Sequence, residues 1–197
     1  MTKVVIIDSG GYNIGSVFAS LQRLEIQAQL TSDHETIKNA DYVILPGVGA
    51  AAHAMHKLHK NELVELIPTL TQPVLGICLG MQLMFEYSEE GNTECLGIFS
   101  GHISKMKGAN NLRIPHMGWN TLSWERRTPI AGLLPDPAWM YFVHAYAAPI
   151  TSETLASSEH GQRFATLAQK NNFLAAQFHP ERSAAAGVAL LKHFFSL

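Results

Sequence analysis

Four consecutive apolar residues, Val4 to Ile7, stop at Asp8 and the turn "SGGYN", after which Ile14, Val17, Phe18, Leu21 and Leu24 recur at helical spacing. A short unbroken apolar run that gives way to this longer period is the pattern of a buried parallel strand leading into a helix. The unit then repeats. "IQAQLT" from Ile26 reads as a second strand, Ser32 or Asp33 can cap a short helix, and "YVILPG" gives a third strand ending at Pro46 and Gly47. Ala50 to Leu70 is helical in character, and Val74 to Cys78 makes a fourth strand with a new helix starting near Gly80. From Ile98 to Phe178 the segments become shorter and richer in turns, among them "GHISKM", "GWNTLSW", "WMYFVHAY" and "FLAAQF", as antiparallel strands would be. Ser183 suits the N-cap of a last helix that carries Ala189, Leu190, His193 and Phe194 on one face. The alternation predicts an α/β fold: an open, mostly parallel sheet with helices on both faces and antiparallel additions.

Composition narrows this picture without redirecting it. At 197 residues, 47% hydrophobic and 15% charged, the chain suits one domain spanning residues 1–197. The 14 Lys and Arg nearly balance the 16 Asp and Glu, and no basic run accompanies an aromatic series, so a nucleic-acid partner is not expected. Cys78 and Cys95 are the two cysteines, in unlike contexts, which argues against a disulfide framework and for a reducing compartment. The first apolar run is too short for a signal peptide or a membrane span, so a cytoplasmic protein is expected.

The informative stretch is "VLGICLGMQLM". Gly76 and Gly80 stand two positions either side of Cys78, at the junction of a buried strand and a helix, which is the G-x-nucleophile-x-G elbow pattern with a cysteine as nucleophile. The demand is steric: the nucleophile takes a strained backbone conformation, and the glycines let strand and helix approach closely. The positive end of the following helix favours a thiolate and offers N–H groups to an oxyanion. A lone cysteine on a strand is usually a buried structural residue, and the flanking glycines reverse that expectation here.

A thiol nucleophile needs a base, and "QFHPERS" supplies the best candidate. "FLAAQF" runs as a strand into His179, where Pro180 blocks further pairing. Glu181 lies two residues on, so along an extended backbone it projects to the same side and can orient the imidazole. Cys78, His179 and Glu181 then form a triad in that chain order.

"GICLGMQ" together with "FHPE" resembles the class I, triad-type glutamine amidotransferases, whose glutaminase domains release ammonia from glutamine through a cysteine thioester. "LPGVG", Leu45 to Gly49, looks like that family's oxyanion strand, and Gln82 falls at its glutamine-binding position. "DSGGYNIGSV", "PGVG", "PHMGWN" and "YFVHAY" resemble in particular the glutaminase subunits of imidazole glycerol phosphate synthases, across residues 4 to 195. The resemblance implies a flavodoxin-like architecture and oxyanion donors at Leu79 and in the Gly47, Val48, Gly49 loop. It implies substrate contacts at Gly49, Gln82, His144, Ala145 and Tyr146. Ala145 stands where the family usually carries serine, so a contact there would run through the backbone.

The same resemblance implies glutamine as substrate, no cofactor or metal, and a heterodimer with a (β/α)8-barrel cyclase subunit that consumes the ammonia. No Walker-type loop or spare segment is left for a second active site, so the acceptor lies on another polypeptide. Candidate interface residues are Asn13, in the loop from Gly10, and Met117 and Trp119 of "PHMGWN", although Trp119 would serve equally well in the core.

Other signals carry less. "SGGYNIG" lacks the dinucleotide-binding glycine order, and Glu25 is too close to the turn. His53, His56 and His59 recur every third residue but have no further zinc-type ligand at suitable spacing, and a solvated helix face explains them. Cys95 has neither an elbow nor a nearby base. A glutaminase serving another synthase, such as one forming pyridoxal phosphate, is disfavoured by "PHMGWN". The intact triad argues against a noncatalytic relative, and Gln82 with "PGVG" against a cysteine peptidase.

Overall fold

The computed structural model describes residues 2–10, 14–47, 49–108 and 112–197. The expected apolar runs become adjacent parallel strands: β1 (Val4–Ile7), β2 (Ala28–Thr31), β3 (Tyr42–Leu45) and β4 (Val74–Ile77). They lie in the order β2-β1-β3-β4, and Phe173–Ala176 adds to β4 as a fifth parallel strand. This is the order of flavodoxin-like sheets. Beyond it the sheet turns antiparallel through Arg163–Lys170, Thr154–Glu159 and Ser123–Trp124. Trp139–His144 pairs with His116–Thr121 in a separate antiparallel ribbon, and four short strands form a further small sheet.

The helices are α1 (Ile14–Arg23), α2 (His34–Lys38), α3 (Ala51–Lys60), α4 (Leu63–Leu66), α5 (Leu79–Leu83) and α6 (Ala184–Phe194). Because strand side chains alternate, the sheet sorts its apolar residues to two sides. Val4, Ile6, Ile44 and Leu75 pack with Val17 and Leu21 of α1 and Leu190 and Phe194 of α6. Val5, Ile7, Val43 and Leu45 pack on the other side with Ile37, Met55, Leu58, Leu63 and Met81 of α2 to α5.

Several boundaries move for local reasons. The second strand begins at Ala28 and not at Ile26, because α1 ends in a Schellman turn: Glu25 is left-handed, and Ile26 N–H returns to the Leu21 carbonyl at 2.9 Å. Asp33, not Ser32, caps α2, accepting from Thr36 N–H at 2.8 Å. The helical run from Ala50 is broken at Glu62, whose φ of 55° ends α3 before α4 begins. Ser183 occupies the N-cap of α6, yet its hydroxyl donates to the His179 carbonyl and accepts from Tyr141 N–H, so it caps nothing. The buried stripe of α6 is Ala186, Gly187, Leu190, Leu191 and Phe194; Ala189 and His193 lie at its margin.

Candidate active site

Cys78 follows the last residue of β4 and precedes the first of α5, with φ 53° and ψ −108°. That conformation is costly for a residue with a Cβ and is held by what surrounds it. Cys78 N–H is fixed to the Ala176 carbonyl at 2.7 Å. The glycines act by absence of bulk: a Cβ on Gly80 would lie 1.8 Å from the Leu45 carbonyl oxygen, and one on Gly76 would lie 2.8 Å from Met84 Sδ. Helix α5 therefore rests directly on β3, and Leu79, at its head, has an N–H without an intrahelical acceptor.

The neighbouring parallel strand leads into the candidate base. His179 comes three residues after Ala176, and its Nδ1 lies 2.8 Å from Glu181 Oε1, with both side chains buried. Contrary to expectation the backbone does not stay extended there, since Pro180–Arg182 form a 3-10 turn that brings the carboxylate to the ring. Since a carboxylate only accepts, Nδ1 donates, which leaves Nε2 to serve the sulfur. His179 Nε2 and Glu181 Oε2 are buried and have no hydrogen-bond partner among the described residues. Burial works against a charged imidazole, but the Cys78 sulfur and the Glu181 carboxylate outweigh it and raise the His179 pKa to about 10.

A cavity of about 280 Å³ opens on these groups, lined by Gly49, Cys78, Leu79, Gln82, Glu90, Pro115, Val143, His144, Ala145, Tyr146 and His179. Its size is near the lower end for small-molecule sites. Every expected substrate contact is therefore on its wall. Glu181 stands behind His179, and Gly47 is buried under α5, where an added Cβ would lie 2.7 Å from Leu79 Cβ. Gly49 has φ +99°, a conformation suited to glycine. Val48 and Asn13 lie outside the described residues.

Gln82 is buried, and both its amide hydrogens are committed, one to the Tyr146 carbonyl at 2.8 Å and one to Gln177 Oε1 at 2.9 Å. Its own Oε1 is the atom left for a substrate. His144 donates from Nδ1 to the Tyr146 carbonyl at 2.8 Å, and its Nε2 lies 3.1 Å from His116 Nδ1, which must then be the donor. His160 stacks on His116 at 4.1 Å. Burial, opposed by the Tyr146 carbonyl and reinforced by the other histidines, lowers the His144 pKa to about 3. Burial and His160 lower that of His116 to about 4, so both rings are neutral at physiological pH.

Two residues of this site escaped the sequence reading. Among the described residues Glu90 is the one carboxylate on the cavity wall, and it accepts from Ala51 N–H, at the head of α3, at 3.0 Å. Burial raises its pKa, and the Ala51 N–H offsets this in part. Nothing local in "SEEGN" marks it, because its partner is far away in the chain. Gln177 could have been suspected from its place in "QFHPERS", two residues before His179, although the strand ends at Ala176 and no alternation links them.

Outside the cavity, Met117 and Trp119 are 64% and 49% exposed, which removes Trp119 from the core. They alternate along one face of their strand, opposite Val143 and Tyr141 of the partner strand, and Trp119 meets Tyr141 edge to face at 5.9 Å. Exposed Trp139 extends the same apolar strip. His53, His56 and His59 are exposed on α3. Cys95 is half-buried, with its thiol pushed up to about 12 by burial and by Glu94.

A strained thiol at a strand-to-helix elbow, with a histidine and a glutamate arriving from the next parallel strand, is the arrangement of the class I glutamine amidotransferases. The chain belongs to that family, whose model, "Glutamine amidotransferase class-I", matches residues 5–196. More narrowly, it is similar to "Imidazole glycerol phosphate synthase subunit HisH" of Xanthomonas axonopodis pv. citri (strain 306), 49% identical over 100% of this chain and 98% of that one. The protein of the same name from Xylella fastidiosa (strain Temecula1) is 45% identical at the same coverage. Among solved structures, a putative GMP synthase protein from Thermoplasma acidophilum superposes with a TM-score of 0.75 at 21% identity, covering 100% of this chain and 93% of that one. PurLQS from Thermotoga maritima gives 0.66 at 13%, covering 99% and 98%. At those identities the structures speak for the fold alone.

Proposed function

We propose that Cys78, His179 and Glu181 carry out the glutamine hydrolysis of this chain, which is the glutamine amidotransferase subunit of an imidazole glycerol phosphate synthase in histidine biosynthesis. The observation that supports these roles is the junction of the strained Cys78 with a His179–Glu181 pair at 2.8 Å, all opening on one cavity. The Cys78 thiolate attacks the side-chain amide carbon of glutamine. Leu79 N–H and the Gly47 to Gly49 loop stabilise the oxyanion, each well-placed donor contributing about 3 kcal/mol. His179, which keeps its proton up to about pH 10, gives it to the departing ammonia. Water activated by the same ring then hydrolyses the thioester to glutamate.

The cavity wall suits the free amino acid. Glu90 supplies the negative charge for an α-ammonium group, and Gln82 Oε1 an acceptor beside it. Ala145 has no hydroxyl to offer, so at that position the backbone makes the contact. The loop around Val48 governs the oxyanion donors, and its glycines allow a peptide rotation that makes turnover depend on the partner.

That partner is a (β/α)8-barrel cyclase subunit, which receives ammonia across a sealed contact in a heterodimer; the lyase chemistry belongs to it and not to this chain. The exposed strip of Met117 and Trp119 supports its docking there, with the Gly10 to Asn13 loop as the second segment. No helix among the described residues is long and apolar enough to cross a membrane, and we place the reaction in the cytoplasm. Glutamate release is to be measured with and without the cyclase and its nucleotide ligand, for the native chain and for Cys78→Ala. Nucleotide-stimulated release that is abolished by Cys78→Ala is expected. Release that survives the substitution overturns the mechanism.

A further inference from the structure

Gln177 is a fully buried amide on the same strand end as His179, and the hydrolysis steps make no use of it. Its backbone N–H is tied to the Thr166 carbonyl at 2.9 Å, which fixes where the side chain starts. From there it reaches two groups of the cavity at once. Its Oε1 accepts from Gln82 Nε2 at 2.9 Å, and its Nε2 donates toward Cys78 Sγ at 3.8 Å. With the Tyr146 carbonyl taking the other Gln82 hydrogen, the direction of the Gln82 amide is settled by two acceptors.

The sulfur has a second neighbour, the Val143 carbonyl, also at 3.8 Å. A carbonyl can only accept, so that contact needs the S–H proton. The Gln177 N–H can only donate, so its contact strengthens as the sulfur becomes negative. The protonated and the ionised sulfur thus each have a dedicated partner.

We propose that Gln177 is a positioning residue for the glutaminase chemistry, holding the Cys78 sulfur by donation and turning Gln82 Oε1 toward the substrate by acceptance. It rests on the reading of Cys78 as the nucleophile. A buried amide with a merely structural role would satisfy Gln82 as well, but it would leave the ionisation of the sulfur unchanged. Among the described residues, the other titratable groups around the sulfur are His179, backed by Glu181, and His144, Tyr146 and Glu90 on the cavity wall.

The test uses the full chain in a Cys95→Ser background, so that iodoacetamide reports on Cys78 alone. Alkylation rate is followed against pH for the parent, Gln177→Glu and Gln177→Met, with circular dichroism as the check of fold. Glutamine KM and kcat are measured in the complex with the cyclase. Gln177→Glu keeps an acceptor for Gln82 and puts a carboxylate oxygen against the sulfur; its alkylation profile moves to higher pH by about one unit or more, with KM within about threefold of the parent. Gln177→Met, similar in volume, loses both bonds; it shows the same alkaline displacement and a KM raised about tenfold. A folded variant whose alkylation profile overlays the parent overturns the proposal.

One measurement needs no Gln177 variant. The Gln177 side-chain amide proton should move downfield in the parent over the pH range in which alkylation rises, and stay still in Cys78→Ala; a signal that stays still in both overturns the proposal. Absence of glutamine turnover in the parent complex defeats the glutaminase reading instead, and leaves the alkylation and resonance measurements to decide on Gln177.

Discussion

The closest approach in the site, between Gly80 and β3, sets a quantitative test. In Gly80→Ala the added Cβ starts 1.8 Å from the Leu45 carbonyl oxygen and 2.8 Å from the Leu45 carbonyl carbon. Separations under 3.0 Å are essentially never tolerated, so the pair must part by at least about 1.2 Å. Leu45 cannot yield: it is fully buried, opposite Gly76 in the register with β4, in a strand flanked by β1 on its other side. Helix α5 has to lift instead, carrying Leu79 N–H and the backbone of Cys78 with it. Overpacking of this kind costs about 3 kcal/mol, which for a domain of this size lowers Tm by roughly 6 to 12 °C. A displacement of about 1 Å in a catalytic constellation costs roughly a hundredfold in kcat.

The assay pairs a thermal melt with glutamate release in the cyclase complex. Gly15→Ala is the control, since Gly15 is exposed in α1 with no described residue within 4 Å of the added carbon, and there alanine should raise stability by about 0.5 kcal/mol or more. A Gly80→Ala chain that melts with the parent and turns over normally would refute the steric account of the elbow.

Three other outcomes are expected. In Glu181→Gln the imidazolium of His179 loses its negative partner, so the proton it otherwise keeps to about pH 10 leaves earlier; the alkaline limb of the kcat profile should move to lower pH and kcat should fall roughly a hundredfold or more, and an unmoved limb argues against His179 as the acid. Glu90→Gln should raise the glutamine KM roughly tenfold or more while changing kcat little, because a charge that recognises the α-ammonium group acts in ground and transition states alike. Equal effects on KM and kcat would show that Glu90 serves mainly to hold α3. Trp119→Ala should weaken the cyclase complex by about 2 kcal/mol, measured by titration calorimetry, without altering the melt of the isolated chain, and unchanged affinity would remove this strip from the interface.

The elbow was legible because its constraint is local: two glycines and a cysteine within five residues state both the strain and its relief. The His179–Glu181 pair was anticipated on a ground the structure replaces: the strand stops at Ala176, and it is the 3-10 turn Pro180–Arg182, not strand alternation, that brings the Glu181 carboxylate to the imidazole. Strand order beyond β4 was not legible, since nothing local says that Phe173–Ala176 inserts beside β4 while the segments before it go to the sheet edge. Glu90 and the His116–His144 bond were invisible because each depends on contacts between distant segments. The beginning of β2 was misplaced because Glu25, with no glycine to signal it, adopts the left-handed turn that closes α1.

The adjacency of β4 and Phe173–Ala176 also bears on biosynthesis. Cys78 leaves the ribosome long before His179, and its own N–H is held by a carbonyl, that of Ala176, which has not yet been made. A nascent chain short of those residues has Cys78 without the proposed base, the proposed orienting carboxylate or the Ala176 restraint on its N–H. Parallel pairing across so long a separation is slow to form, so on the proposed roles the site is assembled late in folding, before the partner can act on it. On those roles, a chain that stops short of Ala176 and His179 has the elbow sequence without the contacts that would make it a glutaminase site.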